Sequence, residues 1–528
     1  MQFPAGKNTF SQTRLPGRKK EASMIEFTCH NPILQQLFDA ATRGLAANVR
    51  LLEPNPAPLL IEGSWYLGVW LECAPMEGLL YAPFSPQTAS NNHRIFFAHQ
   101  RSDGQFPAMV RSGRAGFGQI QQTVPIAETA LELALLTGDE ELLIETRRAA
   151  SAWDAWLSRH RDSGKRNLCE LFCEFDTGHD HSSRFPGIPQ ACPEKEAANL
   201  PNFPGLPYLA PDLSATLYGG RIALSRIASL LGDNSGSELW RERAEATRKA
   251  LFQFCYDPET EFFYDRDAFG NLRKIPGDAG LRVLMEHLPD QELADRIFQR
   301  WVLNPDAFWT PWPIPSIAAS APEFLHPAPD NCWGGPSQAL LALRAPRWFE
   351  FYGKYAALAH LMHRWLEALG RAAGVFRQQM DPFSGEFSTG DAYSPAMLCA
   401  VEFTTRLAGI RETPDELFWY CNAAEFGECR FRLDLLRGGS AELVQKDGNA
   451  SLRRNGREIL HCRGNAILVT DRRGGVLRLH APAAGNVEIA LPDGTKKEFS
   501  LQPDQTVALS SDDPSSPAVS STNAERRK

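Results

Sequence analysis

The chain has 528 residues, a formal net charge of -8, 43% hydrophobic and 22% charged residues, and a pI near 5.9. That is the composition of an ordinary globular protein with ample core. No basic stripe marks a nucleic-acid partner, and no run of about 18 apolar residues marks a membrane span.

Residues 1–24 are basic and polar, with Arg18, Lys19 and Lys20, and lack the apolar core of a secretion signal. They read as a disordered extension, with Met24 as a candidate start. Eleven cysteines, an odd number and mostly scattered, predict reduced thiols in a cytoplasm. Only Cys169 and Cys173 lie close together, so neither a metal site nor a cofactor is expected.

From Asn31 to Gly409 the pattern is helical. Asn31-Pro32 opens the first helix as cap and first-turn proline, with Leu34, Leu37 and Phe38 on one face. Further helices are expected over 126–136, 139–156, 212–231, 237–254, 291–301, 336–343, 349–369 and 394–407. Long loops separate them at 55–123, 161–211, 256–278, 304–335 and 371–393. Roughly a dozen helices in antiparallel pairs, with long loops on alternate connections, predict a mainly α (α/α)6 toroid over residues 25–424. Loops of that length in a compact domain are usually functional.

After Glu425 short alternating segments follow, punctuated by Asp447-Gly448, Asn455-Gly456, Gly474-Gly475 and Asp493-Gly494. These are hairpin signals. They predict a small antiparallel β domain over 425–510, sandwich-like, with a disordered Ser/Asp/Pro-rich tail over 511–528.

The densest polar stretch is Asp176-Thr-Gly-His-Asp-His-Ser-Ser-Arg-Phe185. Ordering so many polar groups is costly unless they face a polar ligand. The loop at Ser64-Trp-Tyr-Leu-Gly-Val-Trp-Leu-Glu-Cys73 adds aromatic rings beside acids, which suits a polyhydroxylated ligand. Trp70 and Glu72 are the expected contacts there, and Trp65 is expected in the core.

Eight short motifs occur in the order found in a known clan. Gln100 to Pro107 resembles Q-x-x-D-G-x-x-P, and Gly116 to Pro125 resembles a Gln-then-Pro helix entry. Asp176 to Phe185 resembles E-S-G-x-D-[NF]-S-[PS]-R-[WF]. Pro211-Asp-Leu213, the hairpin at Tyr256 to Asp265, Pro313-Ile-Pro-Ser-Ile317, Cys332-Trp-Gly-Gly-Pro336 and Phe376 to Gly385 continue the series. The chain thus resembles the (α/α)6 inverting α-glycosidases: trehalases, processing α-glucosidase I of glycoside hydrolase family sixty-three, and mannosylglycerate hydrolases.

That resemblance implies a glycoside hydrolase with Asp180 as general acid. It implies sugar contacts at Gln100, Asp103, Gln119, Gln122, Asp176, Gly178, His179, Arg184, Asp212, Trp312, Trp333 and Gly335. A carboxylic acid serving this way must stay protonated near neutral pH. The clan's base position, however, is Gln378, and Gln cannot take a proton from water. Glu386 and Asp391, with Asp381 behind them, are the carboxylates of the same loop that can stand in as base. Phosphorolysis by an external anion, or sugar binding without catalysis, are the alternatives. The expected partner is a small-molecule carbohydrate, bound by a monomer or small homo-oligomer.

Overall fold

The computed structural model describes residues 24–509. The disordered extension and tail expected from the sequence lie outside these residues, Met24 apart. Twelve helices precede the β-rich part. They are α1 (Pro32–Ala47), α2 (Ala74–Tyr81), α3 (Pro86–Ala98), α4 (Ile126–Thr137), α5 (Glu140–His160) and α6 (Pro211–Leu230). Then come α7 (Asn234–Cys255), α8 (Asp278–Met285), α9 (Gln291–Ile297), α10 (Ala339–Phe349), α11 (Tyr355–Arg371) and α12 (Ser394–Ala408).

Local chemistry sets their starts. The Asn31 side chain accepts from the amides of Ile33 and Leu34, with Pro32 in the first turn. Asp139, Asp233 and Asp290 cap α5, α7 and α9 in the same way.

The even-numbered helices pack in a cycle. α2 meets α4, α4 meets α6, α6 meets α8, α8 meets α10, α10 meets α12, and α12 returns to α2. Among the odd-numbered helices, α3, α5 and α7 each lie against the preceding even one, α11 lies against α10 and α12, and α1 closes against α12.

Even-numbered helices are therefore covered on several sides. α2 buries all its residues except Leu80. A helix buried all round carries no 3.6-residue period, which is why α2 is not legible within the loop expected over 55–123, where α3 also lies. Two other boundaries differ from expectation. α10 begins at Ala339 because Ser337 and Gln338 pair with Met380 and Gln379 in a small sheet. The helix expected over 349–369 is broken by a turn before Tyr355.

Each sequence motif lies in the segment that enters an even-numbered helix. Small sheets tie these segments together, among them Gly68–Trp70 with Met109–Arg111 and Arg114–Gly116, and Ser337–Gln338 with Gln379–Met380 and Phe387–Ser388. No described helix is long and apolar enough to cross a membrane.

The β part forms two antiparallel sheets of seven and five strands. The larger includes Ile25–Cys29, paired with Cys429–Asp434. The smaller begins with Ile410–Glu412 and Glu416–Cys421. The β layer thus draws on chain that the sequence reading assigned to the helical part, because the apolar alternation of Ile25 and Phe27 fits a sheet face as well as a helix entry. Cys29 and Cys429 are register partners joined in a disulfide, contrary to the expectation of reduced thiols throughout. The other nine cysteines are free and buried. Asp504 accepts from the Ala356 amide and Tyr355 stacks on His480 at 4.3 Å, seating the β layer on α11.

Candidate active site

A hydrogen-bonded relay links the loop that carries Asp180 to the loop that carries Gln378. Asn331 Nδ2 donates to Asp180 Oδ2 at 2.8 Å. Gln378 Nε2 donates to Asn331 Oδ1 at 2.7 Å, and the Tyr66 hydroxyl donates to Gln378 Oε1 at 3.2 Å. Asp180 is anchored through its backbone as well, its carbonyl accepting from the Trp333 amide at 2.9 Å. Trp70 stands edge-on to Tyr66, with ring centroids 5.4 Å apart.

Further carboxylates lie close by: Glu174, of the same loop as Asp180, and Glu62, Glu72 and Glu77. Glu72 lies against the loop that carries Asp180. Gly178, at φ +70, brings its backbone so close that an added Cβ would sit 2.0 Å from Glu72 Oε2. Gln121 donates to the same oxygen at 2.7 Å, and Gln119 reaches Gln121 at 3.4 Å. Glu62 lies beside Tyr393, which donates to its Oε1 at 2.8 Å. Glu77, on α2, is fully buried beside the Cys73 thiol.

Burial, then the charge of Glu72, lifts the Asp180 carboxyl to about 8 against the Asn331 hydrogen bond. A proton is therefore held on Asp180 at neutral pH. Burial also raises Glu62, with Glu77 and Glu72 adding to it. For Glu72 burial again raises the carboxyl, while Arg344 opposes it.

Burial lifts Glu77 to about 8, and this has a consequence for stability. An unfolded glutamate releases its proton near pH 4 (roughly 4.3). In the fold Glu77 keeps it to about pH 8, so folding takes up a proton between those values. Stability must fall as pH rises through that window. Glu77→Gln is therefore expected to gain least over the parent near the acid end of the window and most at its alkaline end. Thermal unfolding at both pH values checks it, and an unchanged difference between them would show that the carboxyl ionises freely.

Several residues expected to touch sugar instead hold the loops. Asp176 is 0% exposed. Arg161 donates to its two oxygens at 2.5 and 3.1 Å, and the amides of Ile120, Phe172 and Cys173 donate to them too. Arg184 does hold carboxylates, but these are Asp212 and Asp265, all buried. Burial opposes ionisation of Asp212, yet Arg184 and Arg282 hold it down at about 2. His179 sits in the same network, 2.7 Å from Asp278 and from Arg282. Burial, then Arg282, lowers it to about 4, so it is a neutral imidazole at pH 7. His181 points elsewhere, to the Asn331 carbonyl at 3.1 Å.

Gln122 is taken up by Leu213 and the Trp153 indole. Gln100 donates to the Gly104 and Ala149 carbonyls, and Asp103 accepts from the Trp156 indole, pinning their loop to α5. Trp312 is buried under Arg364, whose guanidinium lies 3.7 Å from its ring. Trp333 lies tilted against His179, with ring centroids 4.8 Å apart. Gly335 is needed for close packing, since a Cβ there would meet the Leu325 carbonyl oxygen at 2.3 Å.

The stand-in bases fare no better. Glu386 is exposed. Asp391 is exposed and accepts from the Phe376 and Ala392 amides. Asp381 shapes its turn by accepting from Phe383 and Ser384. Trp65, expected in the core, is 60% exposed beside Tyr66. Sequence reasoning missed Glu62, Asn331 and Tyr393. Only Glu62 carried a signal: an acid directly after the apolar run Leu59-Leu60-Ile61.

Cys173, Asp176 and Cys192 converge within 4.8 Å, a possible metal donor set. Arg161 already spans Asp176 and lies 3.5 Å from Cys192 Sγ, so a cation there would have to displace a buried guanidinium. A separate cavity of about 420 Å³ is lined by ion pairs such as Arg347–Glu128 and Arg406–Glu350, and by none of Glu62, Glu72, Glu77 or Asp180.

Comparison with known proteins bears on this site. The model of the mannosylglycerate hydrolase MGH1-like glycoside hydrolase domain matches residues 74–394. Among solved structures, GH63 mannosylglycerate hydrolase from Thermus thermophilus in complex with glucose is 21% identical, with a TM-score of 0.56 over 70% of this chain and 100% of that one. Neutral trehalase Nth1 from Saccharomyces cerevisiae is 14% identical, with a TM-score of 0.51 over 69% of this chain and 80% of that one. A GH78 family rhamnosidase of Bacillus sp. GL1 is 11% identical, with a TM-score of 0.56 over 82% of this chain and 42% of that one. At such identities the likeness is one of fold. No curated protein matches the chain. With the family domain covering most of the helical part and a carboxylate cluster at its motif-bearing loops, the chain belongs to the MGH1-like glycoside hydrolase family and is a glycosidase acting on a carbohydrate.

Proposed function

We propose that the protein is an inverting α-glycosidase in which Asp180 is the general acid. The observation that carries this reading is the state of Asp180: a carboxyl held protonated to about pH 8, open on one oxygen, in the loop of the clan's acid motif. The cycle of even-numbered helices supports an (α/α)6 toroid, with the motif-bearing loops gathered at one end. The domain reading is a helical catalytic part over about 25–424, with the β layer after it also taking in Ile25–Cys29, Ile410–Glu412 and Glu416–Cys421.

In this reading Asp180 protonates the glycosidic oxygen as the bond to the anomeric carbon breaks, and water attacks from the opposite face. Trp70 and Tyr66 offer ring faces to the sugar, and Glu72 and Gln119 offer hydrogen bonds to its hydroxyls. The related structures make α-mannosylglycerate the first substrate to try.

The test is a panel of α-mannosylglycerate and p-nitrophenyl α-mannoside and α-glucoside, followed by proton NMR. Release of sugar with the β-anomer appearing first is expected. The α-anomer appearing first would sink inversion, and no release from any member would sink the substrate class. Gln378 favours a second reading, attack by phosphate, which needs no base. Release that depends on added phosphate, with a β-sugar phosphate as product, would replace hydrolysis by that reading.

A further inference from the structure

We infer that Glu62 is the general base, standing in for the carboxylate that Gln378 lacks. This rests on the hydrolase reading above. An inverting glycosidase needs a carboxylate across the pocket from its acid, with room for water between. Of the carboxylates gathered here, Glu72 is on the wrong side, packed against the backbone of Gly178 two residues from Asp180. Glu77 is a buried side chain of α2.

Glu62 stands with the base loop. Its backbone carbonyl accepts from Ser394 at 2.8 Å, and Gly63 bridges to Tyr393, so the segment is tied to the end of the 376–393 loop. Tyr66, three residues beyond Gly63 and bonded back to it, donates to Gln378. Tyr393 fixes Oε1, and among the described residues no hydrogen bond engages Oε2. At 5% exposure Glu62 is buried yet not sealed. Gln378, likewise 5% exposed, is spent on both of its polar atoms: it accepts from Tyr66 and donates to Asn331. It positions Asn331, and Asn331 positions the acid.

The step balances without a further reactant. Glu62 Oε2 takes a proton from water as the water oxygen bonds to the anomeric carbon. The glycosidic C–O bond breaks, its electron pair goes to the leaving oxygen, and Asp180 supplies that oxygen with a proton. Solvent then returns the proton from Glu62 to Asp180.

The experiment uses α-mannosyl fluoride and α-glucosyl fluoride as probes. Fluoride leaves without a proton, so its rate reads the base and not the acid. If the parent hydrolysed the fluorides but no glycoside, the acid assignment would fail while the base remained testable. Glu62→Gln is expected to lower kcat on the fluoride at least about a hundredfold with little change in KM. Added azide, a nucleophile that needs no base, should restore turnover and give the β-glycosyl azide. Parent-like turnover in Glu62→Gln, or a loss that azide does not relieve, would overturn the proposal.

Tyr393→Phe gives a second reading that does not depend on how Glu62→Gln folds. Burial raises the Glu62 carboxyl well above the usual glutamate range, the charges of Glu77, Glu72 and Asp180 add to this, and the Tyr393 hydrogen bond opposes it, with Tyr66 and Cys73 also close by. Removing that bond is expected to move the acidic limb of kcat/KM to higher pH. A limb that stays put, or moves to lower pH, would show that the titrating base is another group.

Discussion

Asp180→Asn is expected to lower kcat on an α-glycoside about a thousandfold, within the 10²–10⁴ range typical of a positioned proton donor, while a saccharide still binds. An amide keeps the size of the side chain and can hydrogen-bond to Asn331, but it has no proton to give the leaving oxygen. The loss should track the leaving group. It should be greatest for an alkyl aglycone such as glycerate and smaller for p-nitrophenol, whose oxygen leaves readily as an anion. Equal losses on both, or parent-like turnover, would remove Asp180 from the acid role.

A companion measurement tests the cause of the raised carboxyl. After burial, the charge of Glu72 contributes most to holding the Asp180 proton. In the proposed mechanism the acid must be protonated to act, so the alkaline limb of activity is expected to follow Asp180. Taking away the Glu72 charge favours ionised Asp180 and lowers its pKa. Glu72→Gln should therefore move the alkaline limb to lower pH. A limb that moves upward, or not at all, would mean that Glu72 does not act on Asp180 through its charge.

Helices with one wet face were legible in the sequence. Asn31-Pro32, Asp139 and Gly138 announce ends by local chemistry, and these ends lie where such chemistry puts them. α2 was not legible, because a helix enclosed by neighbours loses its polar stripe and its period together. The motif order led to Asp180, and the loop around it does converge on Gln378 through Asn331. Roles within a motif were much less legible. A carboxylate that touches sugar and one that locks a loop have the same letter. Asp176 differs from Asp180 in that Arg161, from the end of α5, and three backbone amides close on it. Arg184 likewise spends its fork on Asp212 and Asp265, which are 28 and 81 residues away. Glu62 lay outside every motif. Its meaning depends on Tyr393, which arrives 331 residues later.

Arg161→Met is expected to cost about 3–5 kcal/mol of stability, the usual result of stripping one partner from a buried ion pair. Arg161 is fully buried and holds the acid loop at four points: both oxygens of Asp176 and the carbonyls of Glu170 and Ala197. Without it, Asp176 remains a buried charge with only backbone amides to face. Removing both charges should hurt less than removing the guanidinium alone, because the uncompensated carboxylate is the main cost. Urea unfolding of Arg161→Met and of Arg161→Met with Asp176→Asn measures that difference, and the double variant should be the more stable. The single variant Asp176→Asn separates the two roles open to Asp176. As a lock on the loop, Asp176→Asn should lower the unfolding midpoint and depress kcat through the displaced Asp180, with KM following little. As a sugar ligand it would raise KM and leave the midpoint alone. The five donors already on its two oxygens leave no acceptor free for a sugar hydroxyl, so the first outcome is the one the packing requires.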